Sequence, residues 1–210
     1  MTSIVYTKSF DAPELDMQEM LIYAGVRGKS CEVESLLKDC ISDVDGVISY
    51  KACYTVFPCA DISALFKNGA DVLLDKLSGC EYVLTFAATV GMEMDRMIKR
   101  AGSLSQTLGL LMQAIGTERV ESLCDAFEDE VRARCARCGV VSFPRFSPGY
   151  GKLPLEMQKD IFALLSPSRH IGVSLGESLL MTPSKSVTAF IGLSGNIEKS
   201  RAPLDKWRIV

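Results

Sequence analysis

From Met92 to about Arg137 the chain places apolar residues at helical spacing almost without interruption. Leu108, Leu111, Met112 and Ile115 share one face at intervals of three and four. Val120, Leu123, Cys124, Phe127 and Val131 continue that spacing, with Glu128, Glu130 and Arg132 outside it, and Gly139 supplies the stop. A helical run this long, apolar along one side, has to be buried against another layer.

The rest of the chain offers that layer. Residues 47–57 alternate, with Ile48, Tyr50, Ala52, Tyr54 and Val56 on one face and Ser49, Lys51, Cys53 and Thr55 on the other. Period two with aromatic and β-branched residues predicts a half-buried strand. Tyr82–Ala88 is an apolar run of strand length. Ser178–Met181 and Ser186–Leu193 read as two strands joined by the turn Thr182-Pro183-Ser184-Lys185. Asp16 with Glu19 three residues on starts a helix that Gly25 stops, and a second helix runs from Cys31 to Ile41 behind Ser30. These two form a small N-terminal helical part, residues 1–45. Ala70–Leu77 and Leu155–Leu165 read as further helices. Strands and helices do not alternate as βαβ units, so the expected class is α+β with a largely antiparallel sheet, and 210 residues fit one unit over 1–210.

Composition excludes several functions. Hydrophobic residues at 48% and charged residues at 23% exclude a mostly disordered chain. Lys+Arg 23 against Asp+Glu 26 excludes nucleic-acid binding through a general basic field. No stretch approaches the roughly 18–20 apolar residues of a membrane span, and the start carries no basic region followed by an apolar one. Eight cysteines in 210 residues are too sparse for a disulfide scaffold and sit mostly in apolar-periodic segments, which fits a reducing cytoplasm. One histidine, His170, excludes His-rich zinc sites and reads as a structural imidazole.

Three motifs read as ordinary structure. Gly28-Lys29-Ser30 matches the end of a phosphate loop, but Tyr23 stands where the first glycine belongs. Cys135 and Cys138 form a CxxC without a second ligand pair, so no metal is assigned. Glu128, Asp129 and Glu130 read as a solvated helix face.

The remaining candidate is Phe143-Pro144-Arg145-Phe146-Ser147-Pro148-Gly149-Tyr150-Gly151-Lys152-Leu153-Pro154. Its prolines and glycines exclude regular helix or a central strand. A guanidinium such as that of Arg145 can take a carboxylate with two parallel bonds. Gly149 lets a ligand approach the backbone, Pro148 stiffens the loop, and Tyr150 offers a flat face with a polar tip. An ordinary Pro-Gly surface turn has the same composition.

Arg145-Phe146-Ser147-Pro148-Gly149-Tyr150 resembles the Arg-x-x-Pro-Gly-Tyr signature of the activation, S-adenosylmethionine-binding, domain of cobalamin-dependent methionine synthase. The helix Val120–Arg137 resembles the one leading into that signature. His170-Ile171-Gly172-Val173-Ser174-Leu175-Gly176-Glu177-Ser178 resembles its His-x-Gly-x-x-Leu-x-Glu-Ser segment, and Pro183 to Ala189 its Pro-Gly-Ala-Ser-Val-Ser-Gly strand. Met20–Gly25 and Ala88–Gly91 resemble segments of small free-standing relatives. The likeness spans residues 115–194.

The resemblance implies a C-shaped α+β fold that binds S-adenosylmethionine and presents its methyl group to a cobalamin supplied in trans. Its implied role is reductive remethylation of cob(II)alamin on a corrinoid-carrying methionine synthase core or other corrinoid protein, with an electron from a flavodoxin-type donor. It implies that Arg145 holds the ligand's carboxylate, that Ser147, Pro148, Gly149 and Tyr150 complete the cradle, and that Asp11 is the family's N-terminal aspartate. No catalytic side chain is expected, because the donor and the corrin carry the hard step. The family's paired tyrosines after the last strand have no counterpart between Asn196 and Val210. That departure keeps a second reading open, a non-catalytic S-adenosylmethionine sensor or scaffold of the same fold.

Overall fold

The architecture follows from strands that are buried on both sides. A computed structural model describes residues 4–28 and 30–195. In chain order the elements are β1 (Tyr6–Phe10), α1 (Met17–Tyr23), α2 (Cys31–Val44), β2 (Tyr50–Pro58), α3 (Ile62–Leu65), α4 (Ala70–Lys76), β3 (Tyr82–Thr89), α5 (Met92–Leu104), α6 (Gln106–Cys138), β4 (Val141–Ser142), α7 (Met157–Leu165), α8 (Pro167–His170), β5 (Ser174–Leu175), β6 (Met181–Thr182) and β7 (Ser186–Ser194). Five strands make one antiparallel sheet in the order β1-β2-β3-β7-β4. The class is α+β, as expected.

One sheet face carries Ala52, Tyr54, Leu84, Phe86 and Ile191 against α1, α2 and α6. Phe127 of α6 is the keystone, with its ring 4.6 Å from Phe86 and 5.4 Å from Tyr54. The other face carries Cys53, Phe57, Val83, Ala87 and Phe190 against α3, α4 and α7. β2 is therefore not half-buried: Cys53 is 0% and Thr55 1% exposed, because helices cover the side that period two assigned to solvent. Both edges of the sheet reach α6. Lys8 on β1 pairs with Glu130, while Arg145, beyond β4, pairs with Glu121 and Glu128 on the opposite flank. The sheet thus curls around the long helix, which is the C shape.

The N-terminal helices form as expected. Asp16 Oδ1 caps α1 by accepting from the amides of Gln18 and Glu19, Ser30 caps α2, and Gly25 (φ 70°) follows α1 in the left-handed region. Their anchor is buried: Arg119 donates to the carbonyls of Pro13 at 2.7 Å and Glu14 at 2.6 Å, and Glu118 accepts from the Asp16 amide at 3.0 Å. Edge strand β1 gave no signal in the sequence, since five residues with one clear alternation fall below what pattern can resolve.

Two further readings change. The long helical run is two helices, α5 and α6, folded back on each other through Gly102 and Gly109. A Cβ on Gly109 would lie 2.8 Å from the Gly102 Cα. The strand expected at 178–181 is not the hairpin partner of β7. Only Met181–Thr182 is strand, and it pairs with β5 in a separate two-stranded sheet. The intervening turn is tied elsewhere, with Ser184 bonded to Asp95 through its amide at 2.8 Å and its hydroxyl at 2.6 Å.

Candidate functional site

Arg145 owes its direction to strand alternation. Phe143 and Phe146 bond β7 as an edge segment, Phe143 N–H to Gly192 O at 2.9 Å and Phe146 N–H to Phe190 O at 3.0 Å. Adjacent residues on such a segment point to opposite faces. Phe146 packs on Phe190 at 5.7 Å, beneath the Lys76 ammonium, 4.9 Å away. Arg145 therefore turns to the α6 side.

There it meets a carboxylate stripe. Glu121, Asp125 and Glu128 stand at i, i+4 and i+7, one face of a helix. Arg145 donates from Nη2 to Glu121 Oε2 at 3.0 Å, from Nη1 to Glu128 Oε2 at 3.0 Å, and from Nη1 to Asp125 Oδ1. The guanidinium is 21% exposed, and its partners 37%, 65% and 11% in the order Glu121, Asp125, Glu128. Burial alone would lower its pKa, but the bonds to Asp125 and Glu121 outweigh that and hold it above the usual arginine value. Three carboxylates meet this one guanidinium, and Glu128 is also met by Arg132 Nη2 at 3.5 Å, which leaves negative charge in excess around Arg145. Tyr23 feels the same field. Its hydroxyl donates to Glu19 at 2.6 Å, and that bond, burial and the charges of Glu19, Glu121 and Asp125 push its pKa up. Cys124, behind the stripe, is raised mainly by burial.

This arrangement corrects the solvated-face reading of Glu128–Glu130. Glu128 is buried and holds Arg145, and Glu130 accepts from Lys8. Only Asp129 is a surface residue, paired with Arg132. Glu121, Asp125 and Tyr23 were not expected at the site. The 4-then-3 spacing of the acids was a usable signal, but nothing in the sequence showed that a cation would cross from a loop to meet them.

The rest of the loop is a separate turn. Pro148 is buried, and Gly149 (φ 87°) donates to Leu153 O at 2.9 Å. Ser147 is half-buried, and Tyr150 is 77% exposed. Arg145 lines a cavity of about 350 Å³ with Lys76, Leu77, Ser78, Cys80, Phe143, Pro144, Phe146 and Gly192, and Ser147, Gly149 and Tyr150 are not in its lining. Asp11 lies in another cavity, of about 310 Å³, with Ser9, Asp45, Tyr50 and Lys51.

Of the other motifs, Cys135 is 1% exposed and burial pushes its thiol up to about 11. Among the described residues no three His, Cys, Asp or Glu side chains group as a metal site. None of their helices is long and apolar enough to cross a membrane. The segment after Gly195, where the family's tyrosines were sought, lies outside the described residues.

Comparison with known proteins agrees with the fold. No curated protein matches the chain. Among solved structures, the crystal structure of the MetH reactivation domain bound to AdoHcy superposes with a TM-score of 0.67, at 20% identity, covering 90% of this chain and 78% of that one. Residues 142–198 match the family described as the vitamin B12 dependent methionine synthase, activation domain. Over that segment, which holds the Arg145 loop, the sequence is similar to the vitamin B12 dependent methionine synthase activation domain, and the described chain shares the fold of the MetH reactivation domain.

Proposed function

We propose that the protein binds S-adenosylmethionine at Arg145 and the α6 carboxylate stripe, and supports reductive remethylation of cob(II)alamin on a separate corrinoid protein. One observation carries the binding reading: a guanidinium stands against three carboxylates on one flank of α6, with Glu128 shared with Arg132, so negative charge is in excess around Arg145. The donor's amino-acid end bears one carboxylate and one ammonium, and its sulfonium adds a positive charge. The carboxylate replaces one acid on Arg145. Asp125, the most exposed partner at 65%, is the least costly to release. The freed acid then meets the ammonium, and the remaining excess favours the sulfonium. When bound, the donor supplies an electrophilic methyl group. The chain's residues orient it, and none needs to act as nucleophile or base.

The solved relative bound to AdoHcy and the family match over 142–198 support the ligand class. The corrinoid partner, the flavodoxin-type electron donor and a cytoplasmic setting belong to the same proposal, as do supporting contacts from Ser147, Pro148, Gly149 and Tyr150.

Isothermal titration with S-adenosylmethionine tests the binding. Arg145→Ala should weaken it by about 1.5–3 kcal/mol, the worth of a hydrogen bond to a charged group. The neutral S-adenosylhomocysteine should bind more weakly than the cationic donor. Absence of binding, with or without a corrinoid partner, refutes the reading. Mixing the protein with a cob(II)alamin carrier, a reductant and the donor tests the transfer. Binding without appearance of methylcobalamin would establish the sensor or scaffold reading instead.

A further inference from the structure

On the second face of the sheet, at the edge of the cover provided by α7 and α8, Thr7, Lys8, Ser9, Lys51, His170 and Ile171 line a polar cavity of about 250 Å³. The register explains how it arises. Ser9 pairs across the β1–β2 ladder with Lys51, and alternation sends Thr7, Ser9 and Lys51 to this face, while Lys8 reaches Glu130 on the other. The chain leaving α8 adds His170 from the side.

The chemistry of this lining is one-sided. It offers two hydroxyls, an imidazole and two ammonium groups, and no carboxylate. Lys8 is already paired with Glu130, so Lys51 carries the free charge. The side chains of Lys51 and His170 have no hydrogen-bond or ion-pair partner among the described residues. Asp11 and Asp45 share the adjoining cavity with Lys51, yet neither stands within ion-pair distance of it. Donors from two strands and a helix end around one space suit an anion with oxygens on several sides rather than a planar one. We propose that this cavity binds a tetrahedral oxyanion of the phosphate class, with Lys51 and His170 as its principal donors and Thr7 and Ser9 as hydroxyl contacts. It is separate from the Arg145 rim and does not depend on it.

The test is titration of the intact protein with sodium phosphate, sulfate and acetate at matched ionic strength, followed by calorimetry. Glycerol 3-phosphate, an ester without a base, is the fourth arm. Phosphate should bind saturably and more tightly than acetate. Lys51→Met and His170→Leu should each weaken it roughly tenfold, as loss of a charge-assisted donor does. Asp45→Asn should tighten it by removing an opposing charge. Lys99→Met, an exposed lysine on α5, should leave it unchanged. Circular dichroism checks that each variant folds. Tighter binding of the ester than of phosphate identifies an esterified phosphate as the occupant, and the reverse a free oxyanion. Absence of saturable binding by phosphate, sulfate and the ester overturns the proposal. So does acetate binding as tightly as phosphate, or an equal loss in Lys99→Met.

Discussion

Replacing Arg119 with methionine should unfold this protein more readily than any other single charge deletion. Its guanidinium is 2% exposed, beside Glu118 at 0%. It donates from Nε to Glu118 at 2.5 Å and from its two Nη atoms to the carbonyls of Pro13 and Glu14. Arg119→Met leaves the Glu118 carboxylate sealed from water without its counter-ion, and two carbonyls without donors. Breaking one partner of such a pair costs about 3–5 kcal/mol. For a chain of this size that is a fall in melting temperature of roughly 6–20 °C. Urea denaturation followed by circular dichroism measures it. The double variant Glu118→Leu/Arg119→Met removes the stranded charge and should recover roughly half of the loss, since apolar replacement of a buried pair is often neutral. Hydrogen exchange should speed up at the Asp16 amide, which bonds Glu118. A loss below about 1 kcal/mol, or a double variant no better than the single, would refute the reasoning.

Gly109→Ala should destabilise despite the helix propensity it gains, because its Cβ would lie 2.8 Å from the Gly102 Cα; a cost of about 1–3 kcal/mol in urea is expected. Gly149→Ala should cost about 1–2 kcal/mol, since φ is +87° and the new Cβ would sit 3.1 Å from Leu155 Cδ1, and Gly151→Ala, at φ +63° with open space around it, should show the backbone strain without the contact. Stability should also fall in alkali. Burial raises Cys53 to about 12, and Cys59 and Cys135 to about 11, from the ordinary 9.0. The native state therefore keeps protons that the unfolded chain releases. The contribution is intact below about pH 9 and is lost as pH rises towards 11–12, at about 1.4 kcal/mol per thiol per pH unit. Denaturation midpoints between pH 9 and 11 check this, and Cys53→Val should reduce the slope by the share of one thiol, about 1.4 kcal/mol per pH unit at most.

Elements whose faces are defined by local spacing were legible in the sequence. The apolar face of α6, the caps at Asp16 and Ser30, the β3 run and the Pro-Gly loop each rest on residues within a turn or two of one another. The six-residue signature around Arg145 and the downstream blocks pointed to a family, and the match over 142–198 lies on those blocks. β1 was too short to signal, and the pairing of β6 with β5 depended on a turn held by Asp95, 89 residues away in the chain.

The composition and periodicity of the chain sufficed for its class, for its long amphipathic helix and for a rigid arginine loop, because those follow from backbone stereochemistry and the burial of apolar stripes. The surroundings of that arginine did not. Its partners lie 17 to 24 residues away, and they meet it only because the sheet curls around α6 and brings a loop to the flank of the helix. Charge neighbourhoods depend on distances in space, which local pattern does not encode. The tertiary fold therefore decided which acids surround Arg145, which cysteines lost water, and which face holds Lys51 and His170.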